Sequence, residues 1–551
     1  MTMLDVRPPE TLHMRARDGA RLASDIYRPA TQGDFPVLLM RQPYGRRIAS
    51  TVCYAHPSWY SAHGYIVIVQ DVRGRGGSEG AFALFENEAA DGADAVAWAA
   101  ALPGSTGAVG MYGFSYQGDT QLLAAAQRPP ALKAIAPAMI GWDLRNDWAY
   151  ENDAFCLAAN LSWAIQLGAE EAKRAGDFEA FHALHAASRA TPVDARVSTL
   201  PAVMERYRRY APHYFDWLEK TADDPYWARI SPAASAQALT AGPPALFIGG
   251  WYDTHLPGTV SGYRAYEEAR GAEARLVIGP WAHFPWGRRL GDMDFGDAAI
   301  GAIDQLQVRW FDHWLKGEGE PPMHGAPVRL FDMGARAWRD FAHWPQGSQS
   351  WRLTSSGRAA LDERDGVLQP ADGSASDRLA QDRLVHDPWR PAPSRGGAFA
   401  APAGPVARID LDARPDVLTF TTPPLAAPLT LAGAPRAELH ISADAPSMDL
   451  SCILSRVDAE GRAMHLTEGY RCFTETPNGV ATIPLRAACV TLQAGERLRL
   501  SIAAASFPNH PVNPGDGSRP THAALEVARV ITITLTHAAS RLDLPIAEFA
   551  P

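Results

Sequence analysis

The segment Gly113-Phe114-Ser115-Tyr116-Gln117-Gly118 places a serine between two glycines, after the apolar run Ala108–Tyr112 and before a helical stretch. A serine on a sharp strand–turn–helix bend stands clear of the sheet, at a helix N-terminus whose N–H groups favour an oxyanion. The second glycine lies one residue later than in the common G-x-S-x-G pattern, so a serine in an ordinary tight turn is the alternative. The pattern marks Ser115 as a candidate nucleophile.

An acid and a histidine follow Ser115 at the ends of two later apolar runs, where Asp253 closes Phe247–Asp253 and His283 closes Ile278–His283. Where a serine sits on such a bend, its partners follow in the order acid, then histidine. Taken alone, Asp253 fits a turn residue and His283 fits a buried structural histidine. Together they predict a triad in which His283 is the general base and Asp253 orients it.

These residues need a sheet to hold them, and the first half of the chain predicts one. Before the sheet, two weaker candidate strands could form an antiparallel hairpin, Leu12–Ala16 and Ala23–Tyr27. Helices are predicted over Glu88–Leu102 and Tyr116–Gln127. Short apolar runs bounded by glycine, proline or polar residues suit a parallel sheet buried on both faces. They are Phe35–Met40, Tyr65–Gln70, Ala108–Tyr112, Leu132–Ala138, Pro244–Gly249 and Arg275–Gly279. The class is therefore α/β, and with the serine bend it is the α/β-hydrolase fold.

Two further regions interrupt or follow this pattern. The stretch between Leu132–Ala138 and Pro244–Gly249 predicts helices, which we interpret as a cap over the site. After about residue 350 helical periodicity gives way to short alternating strands, typical of a β-sandwich or jelly roll. The predicted organisation is a hydrolase domain over 1–145 and 241–352, a helical cap over 146–240, and an all-β domain over 353–551.

Composition excludes several classes of function. The formal charge is −10 without a basic stripe, so nucleic acid is not expected as a partner. Five widely spaced cysteines without a CxxC pair argue against a zinc site and a disulfide framework. The chain lacks an apolar run of signal-peptide or membrane-spanning length, so we expect a cytoplasmic protein that does not span a membrane. Neither a cofactor nor a metal is expected.

Several ordered motifs resemble the X-prolyl dipeptidyl-peptidase/cocaine-esterase family of α/β-hydrolases, closest to its cocaine-esterase and acylase members. The motifs are Arg41–Tyr44, Asp71–Ser78, Gly113–Gly118, Gly250–Asp253, Gly279–His283, Val328–Trp338, Leu418–Leu425 and Ala437–Pro446. The last three resemble the family's C-terminal domain. The resemblance implies that the Tyr44 hydroxyl and the Tyr116 N–H form the oxyanion hole.

The resemblance also implies that cap aromatic residues enclose the acyl group of the substrate. Trp148 and Trp163 lie at the matching positions, and Trp142, Phe155 and His255 are weaker candidates. A pocket rich in tryptophan favours an aromatic or bulky apolar acyl group. We therefore expect a small-molecule ester or amide as the substrate.

Alternatives remain open at this point. The alternatives on the same fold are an acylase, an α-amino-acid ester hydrolase and an X-Pro dipeptidyl peptidase. The last two must hold a substrate ammonium with carboxylates, and the cap offers Asp143, Asp147, Glu151 and Asp153. A non-catalytic binding protein is a further alternative. The loop Asp71–Ser78 fits either an anion site or a bracing turn, and the sequence leaves homo-oligomerisation undecided.

Overall fold

The computed structural model describes residues 3–47, 51–193, 199–371, 380–521 and 525–547. Its helices are α1 Pro57–Ala62, α2 Glu88–Ala100, α3 Tyr116–Ala126, α4 Leu157–Arg174, α5 Phe178–Arg189, α6 Ala202–Arg206, α7 Pro212–Glu219, α8 Pro225–Ile230, α9 Ala236–Thr240, α10 Leu256–Arg270, α11 Ile303–Phe311 and α12 Ile409–Asp412. Within these residues, none of the helices combines the length and apolarity that crossing a bilayer requires.

A ten-stranded sheet organises the chain up to residue 341, in the order β1-β2-β4-β3-β5-β6-β7-β8-β9-β10. Its strands are β1 Glu10–Arg15, β2 Arg21–Tyr27, β3 Phe35–Gln42, β4 Ile66–Asp71, β5 Ser105–Phe114, β6 Leu132–Ala138, β7 Ala245–Tyr252, β8 Ala274–Ala282, β9 Val328–Asp332 and β10 Ala337–Phe341. The strands from β4 to β9 pair in parallel, and antiparallel strands extend both edges. The central strands are buried on both faces, which is why they read as continuous apolar runs.

The six predicted parallel strands are all present, with ends that shift by no more than three residues. The predicted hairpin is also present as β1 and β2, which pair from Glu10 with Ile26 to Arg15 with Arg21. One parallel strand, β9, follows β8 and was not among the six. Val328–Trp338, which resembles the family's C-terminal domain, also extends the central sheet through β9 and the start of β10.

Helices α4 to α9 lie between β6 and β7, where the cap is predicted. Within this stretch the sequence predicts helices over Phe155–Gln166, Glu170–His185 and Ala202–Tyr210, but α4 continues through Gly168 to Arg174. A Cβ at Gly168 would lie 3.4 Å from the Ala211 Cβ, which is an ordinary van der Waals contact. The chain breaks at Gly176, which has a φ of 74°, and Asp177 caps α5 by accepting from Ala180 N–H.

The C-terminal region is all-β apart from short helical turns, as predicted. Its strands are β11 Gln349–Thr354, β12 Val367–Pro370, β13 Gln381–His386, β14 Leu418–Thr421, β15 Leu429–Gly433, β16 Arg436–Ala443, β17 Met448–Val457, β18 Ala463–Phe473, β19 Gly479–Pro484, β20 Ala488–Leu492, β21 Arg497–Ala503 and β22 Ile531–Leu544. Nine of them form a sheet in the order β18-β17-β21-β14-β12-β11-β22-β16-β19, with β13 pairing to β22, while β15 and β20 pair separately. The expectation of an α/β-hydrolase fold followed by an all-β region is confirmed; the exact domain bounds stay predictions.

Candidate active site

Ser115 occupies a strained bend between β5 and α3. Its φ of 59° and ψ of −132° lie outside the regions that most L-residues adopt. The neighbouring glycines make this bend sterically accessible: a Cβ on Gly113 would lie 2.5 Å from the Gln117 Cβ, and one on Gly118 would lie 2.8 Å from the Ala138 carbonyl oxygen. The later glycine of the motif is therefore required by the contact between α3 and β6. Such strain at a partly buried polar residue is typical of functional sites.

Asp253 and His283 directly follow the adjacent strands β7 and β8, so their side chains emerge at one edge of the sheet. The ring of His283 lies with Nδ1 2.8 Å from Asp253 Oδ1, where an N–H donates to the carboxylate. The same ring lies 5.4 Å from that of Phe114, the residue before Ser115. Among the described residues, no hydrogen bond joins Ser115 to His283 directly, and such contacts often tighten only when substrate binds.

The carboxyl group of Asp253 is fully buried. Burial by itself would raise the pKa of Asp253, but hydrogen bonds with His255 and His283 outweigh this effect and hold the pKa well below its ordinary value. Asp253 is therefore an anion at neutral pH. A buried anion beside Nδ1 favours the tautomer in which Nε2 is free to accept a proton.

The resemblance assigns Tyr44 and Tyr116 as the two donors of an oxyanion hole, and each offers a suitable donor group. Tyr116 is the first residue of α3, so its N–H has no carbonyl partner within the helix. Burial raises the pKa of Tyr44 to about 12, against hydrogen-bonding contributions from the side chains of Trp163 and Ser115. Tyr44 is thus a neutral phenol next to Ser115, able to donate to an oxyanion.

A buried ion pair that the sequence did not indicate supports both donors. Arg41 Nη1 lies 2.6 Å from Glu88 Oε2, and both side chains are buried. The Tyr116 hydroxyl donates to the other Glu88 oxygen at 2.8 Å. Arg41 precedes Tyr44 by three residues, so Glu88 connects the two loops that carry the oxyanion donors. The Arg41–Tyr44 motif contains one partner of this ion pair, but it gives no indication of Glu88.

The C-terminal region contacts the loop of the catalytic acid through Arg486, which lies between β19 and β20. Its guanidinium donates to the backbone carbonyls of Asp253 and Thr254, each at 3.0 Å. It also lies over the Phe399 ring at 4.6 Å and 3.6 Å from a Glu151 oxygen. No sequence signal connects residues so far apart in the chain, and sequence reasoning missed Arg486.

The two leading pocket candidates lie together. The Trp148 and Trp163 rings are 5.5 Å apart, and both contact Trp217, at 4.6 and 5.9 Å respectively. Since Trp163 also interacts with the Tyr44 hydroxyl, this aromatic cluster borders the oxyanion donors. Trp217 on α7 was not among the predicted pocket residues, because an amphipathic helix gives a core tryptophan and a pocket tryptophan the same pattern.

The weaker pocket candidates lie elsewhere. Trp142 belongs to the hydrophobic core beneath α10, where a Cβ on Gly262 would approach its ring to 3.1 Å. Phe155 packs between Tyr150 and Tyr214 within the cap. His255 instead lies beside the candidate triad, with Nδ1 3.5 Å from Asp253 Oδ1 and its ring 4.9 Å from that of His283.

The four acids of the cap all have partners within the protein. Asp143 accepts from the N–H of Arg145, and Asp147 accepts from the N–H of Asp143. Asp153 pairs with Arg145 at 3.2 Å, and Glu151 faces Arg486. Burial raises the pKa of Asp147 to about 6 and that of Glu151 to about 7. Asp143, Asp147 and Glu151 are at least partly buried, and the exposed Asp153 is paired with Arg145.

Asp119 is a buried acid that the sequence did not single out. It lies on α3 one turn after Ser115, and its Oδ1 has no hydrogen-bond partner among the described residues. Burial raises its pKa well above the ordinary value, opposed by a hydrogen bond from the Gly141 backbone and assisted by the charge of Asp253. Burial therefore favours the protonated form of Asp119, one helical turn from Ser115.

The loop Asp71–Ser78 makes the contacts of a bracing turn. Arg73 pairs at 2.7 Å with carboxylates on two neighbouring elements. Arg75 is buried and donates to the Leu167 carbonyl of the cap at 3.3 Å. The loop joins the sheet to the cap, and the arginines are engaged by the protein itself.

Comparison with known proteins agrees with this architecture. Residues 18–285 match the family model X-Pro dipeptidyl-peptidase (S15 family), and residues 323–542 match the X-Pro dipeptidyl-peptidase C-terminal non-catalytic domain. The chain is 32% identical to cocaine esterase of Rhodococcus sp. (strain MB1 Bresler) over 532 residues, covering 91% of both chains.

Solved structures show the same fold along the whole chain. An aminopeptidase from the marine sediment archaeon Thaumarchaeota archaeon superposes with a TM-score of 0.80 at 22% identity, covering 98% of this chain and 96% of that one. An α-amino acid ester hydrolase gives a TM-score of 0.76 at 22% identity, covering 99% and 97%.

Fold and relatives together define a serine hydrolase of the α/β-hydrolase class. More narrowly, the chain belongs to the X-prolyl dipeptidyl-peptidase/cocaine-esterase family.

Proposed function

We propose that this enzyme hydrolyses carboxylic esters through an acyl-enzyme formed on Ser115, with His283 and Asp253 completing the triad. The observation that carries the proposal is the 2.8 Å contact between His283 Nδ1 and the buried Asp253, next to the strained serine bend. A histidine oriented in this way accepts a proton at Nε2, as acyl transfer by a serine requires.

Acylation begins when the Ser115 oxygen attacks the ester carbonyl and His283 Nε2 takes the hydroxyl proton. The carbonyl oxygen becomes an oxyanion, which accepts hydrogen bonds from the Tyr116 N–H and the Tyr44 hydroxyl. As the tetrahedral intermediate collapses, the bond to the leaving oxygen breaks and His283 returns the proton to it. The alcohol departs and the acyl group remains on Ser115.

Water repeats the sequence. His283 takes a proton from the water as its oxygen attacks the acyl carbonyl, and the proton passes to Ser115 as the acid is released. Asp253 stays ionised throughout, because its depressed pKa keeps the carboxylate beside the transient imidazolium.

The acyl group is proposed to lie against Trp163 and Trp148, with the fully buried Trp217 behind them. Trp163 interacts with the Tyr44 hydroxyl and Trp148 packs against Trp163, so a carbonyl held in the oxyanion hole places its acyl substituent near these two rings. Offset and edge-to-face contacts favour an aromatic acyl group such as benzoyl.

The internal partners of the four cap acids favour this ester reading over the hydrolysis of α-amino-acid esters or X-Pro dipeptides. A substrate ammonium needs at least one uncommitted carboxylate, and Asp143, Asp147, Glu151 and Asp153 all face groups of the protein.

The test is turnover of a substrate panel by wild type and Ser115→Ala. The panel contains p-nitrophenyl acetate, a benzoyl ester, phenylglycine methyl ester, a glutaryl amide and an Ala-Pro anilide. We expect the benzoyl ester to give the highest kcat/KM, and Ser115→Ala to lose both turnover and labelling by a fluorophosphonate. Turnover retained by Ser115→Ala would refute the mechanism, and preference for the phenylglycine ester or an amide would refute the substrate assignment.

A further inference from the structure

Asp253, His255 and His283 bring three potential metal ligands together. His283 Nδ1 is 2.8 Å and His255 Nδ1 is 3.5 Å from Asp253 Oδ1, and ligand atoms of the three residues lie within 4.8 Å of one another. In the part of the chain that the structure describes, this is the one such group of histidine, cysteine and acidic side chains. The triad needs only one histidine on its acid, so His255 is left without a role in the reaction.

The spacing fits a tetrahedral ion. Nitrogen and oxygen ligands about 2.1 Å from a zinc ion are about 3.4 Å apart, between the two separations measured here. Asp253 Oδ2 is buried and has no hydrogen-bond partner among the described residues, so the carboxylate has lone pairs to spare. The side chains of His283 and His255 are 23% and 11% exposed, so neither histidine is fully shielded from solvent.

The protonation states also suit a metal, which binds carboxylate and neutral imidazole. Hydrogen bonds with both histidines overcome the effect of burial and keep the pKa of Asp253 low, whereas burial lowers the pKa of His255. Two groups oppose binding. The Thr254 hydroxyl lies 3.0 Å from His255 Nδ1 and must turn its hydrogen away, and the guanidinium of Arg486 repels a cation. We therefore expect reversible binding rather than a permanent structural metal.

We propose that Asp253, His255 and His283 form a binding site for Zn²⁺ or a similar transition-metal ion, and that its occupation reversibly inhibits the enzyme. The inhibitory half of the inference rests on the proposed function. A neutral imidazole that ligates a metal through Nδ1 carries its proton on Nε2. The proton of His283 moves from Nδ1 to Nε2 as the metal binds, and Nε2 can then no longer accept the proton of Ser115.

Binding is tested first, without reference to activity. Ser115→Ala protein is freed of metals with a chelator, titrated with ZnCl₂ in a calorimeter, and loaded with Co²⁺ to record its visible d–d absorption. We expect one ion per chain, and affinity weakened by at least about tenfold in Ser115→Ala/His255→Asn. Ser115→Ala/His182→Asn, which changes an exposed cap histidine, should bind like its parent.

Inhibition is tested next, on a p-nitrophenyl ester, with each variant compared with its own metal-free rate. Zn²⁺ should inhibit the Ser115 enzyme, EDTA should restore it, and His255→Asn should need at least about tenfold more Zn²⁺ for half-inhibition. His255→Gln, with folding checked by circular dichroism, guards against a variant that is merely misfolded.

The outcomes separate the two proposals. Absence of stoichiometric binding, or equal binding by the His255 variants, overturns the metal site. Binding without inhibition overturns the inhibitory role. A metal-free wild type that turns over none of the esters overturns the proposed function instead, while the calorimetric titration still decides whether the site exists.

Discussion

Replacement of Arg486 by alanine should reduce turnover although this residue lies in the C-terminal region. The guanidinium donates to two consecutive carbonyls, those of Asp253 and Thr254, at 3.0 Å each. The site is buried, so water cannot easily replace these donors. Arg486→Ala therefore releases the loop that positions the catalytic acid.

The magnitude follows from these contacts. A hydrogen bond from a charged donor contributes about 1.5–3 kcal/mol, so two such bonds anchor the loop by about 3–6 kcal/mol. A displacement of about 1 Å in a catalytic constellation costs about 10²-fold in rate. We expect kcat to fall by about 10²-fold, which corresponds to about 2.7 kcal/mol of transition-state stabilisation.

The assay is steady-state hydrolysis of the preferred ester, together with the rate of fluorophosphonate labelling. Loss of acid positioning should lower kcat and the labelling rate together and leave KM almost unchanged, because Arg486 does not contact the aromatic cluster. Arg486→Lys should recover only part of the rate, because one ammonium nitrogen cannot donate to both carbonyls with the spacing that the two guanidinium nitrogens provide.

The control is Arg471→Ala, which removes an arginine that donates to the Thr482 carbonyl within the C-terminal region itself, at 2.8 Å. This variant should keep wild-type kcat. If Arg486→Ala is folded by circular dichroism and retains full kcat, the C-terminal region does not position the acid and the reasoning is refuted.

Three further variants test other parts of the site. Tyr44→Phe removes one oxyanion donor and should lose about 2.7–4 kcal/mol of transition-state stabilisation, measured as kcat; an unchanged kcat would remove Tyr44 from the mechanism. Glu88→Gln leaves the buried Arg41 without its counter-ion and should lower the free energy of unfolding by about 3–5 kcal/mol in urea titrations, whereas a loss within experimental error would show that the pair is not held as ions. Asp119→Asn tests the pKa of Asp119, which burial raises. The protonated carboxyl group stabilises the folded wild type below the unfolded pKa of about 4, and this stability is lost as the pH rises through the folded pKa. Thermal unfolding from pH 4 to 8 should therefore favour Asp119→Asn increasingly as pH rises, and a difference that is independent of pH would contradict the assignment.

Much of the fold could be predicted from the sequence because its signals are local. The buried strands of the central sheet are continuous apolar runs, so their positions were predicted to within three residues. The serine bend could be predicted because Gly113 and Gly118 are needed wherever strand and helix backbones approach so closely. Asp253 and His283 could be predicted as its partners because residues that follow parallel strands meet at one edge of the sheet.

The prediction failed where a local pattern has more than one structural meaning. The sequence predicts separate helices over Phe155–Gln166 and Glu170–His185, but in the structure α4 continues through the intervening residues to Arg174. Trp142, Trp163 and Trp217 all lie in apolar helix or loop segments of the sequence, so the sequence does not distinguish their environments. Which of them faces the core and which borders Tyr44 depends on the packing of the cap on the sheet.

The sequence by itself determined the class of fold and the order of the candidate triad. Only the tertiary structure brought Arg486 to the Asp253 loop, Glu88 to Tyr116, and His255 to within 4.9 Å of the His283 ring. The physical reason is that strands and tight turns are encoded by neighbouring residues. Contacts between residues distant in the chain depend on how the completed elements pack together, and no periodicity along the chain records that packing.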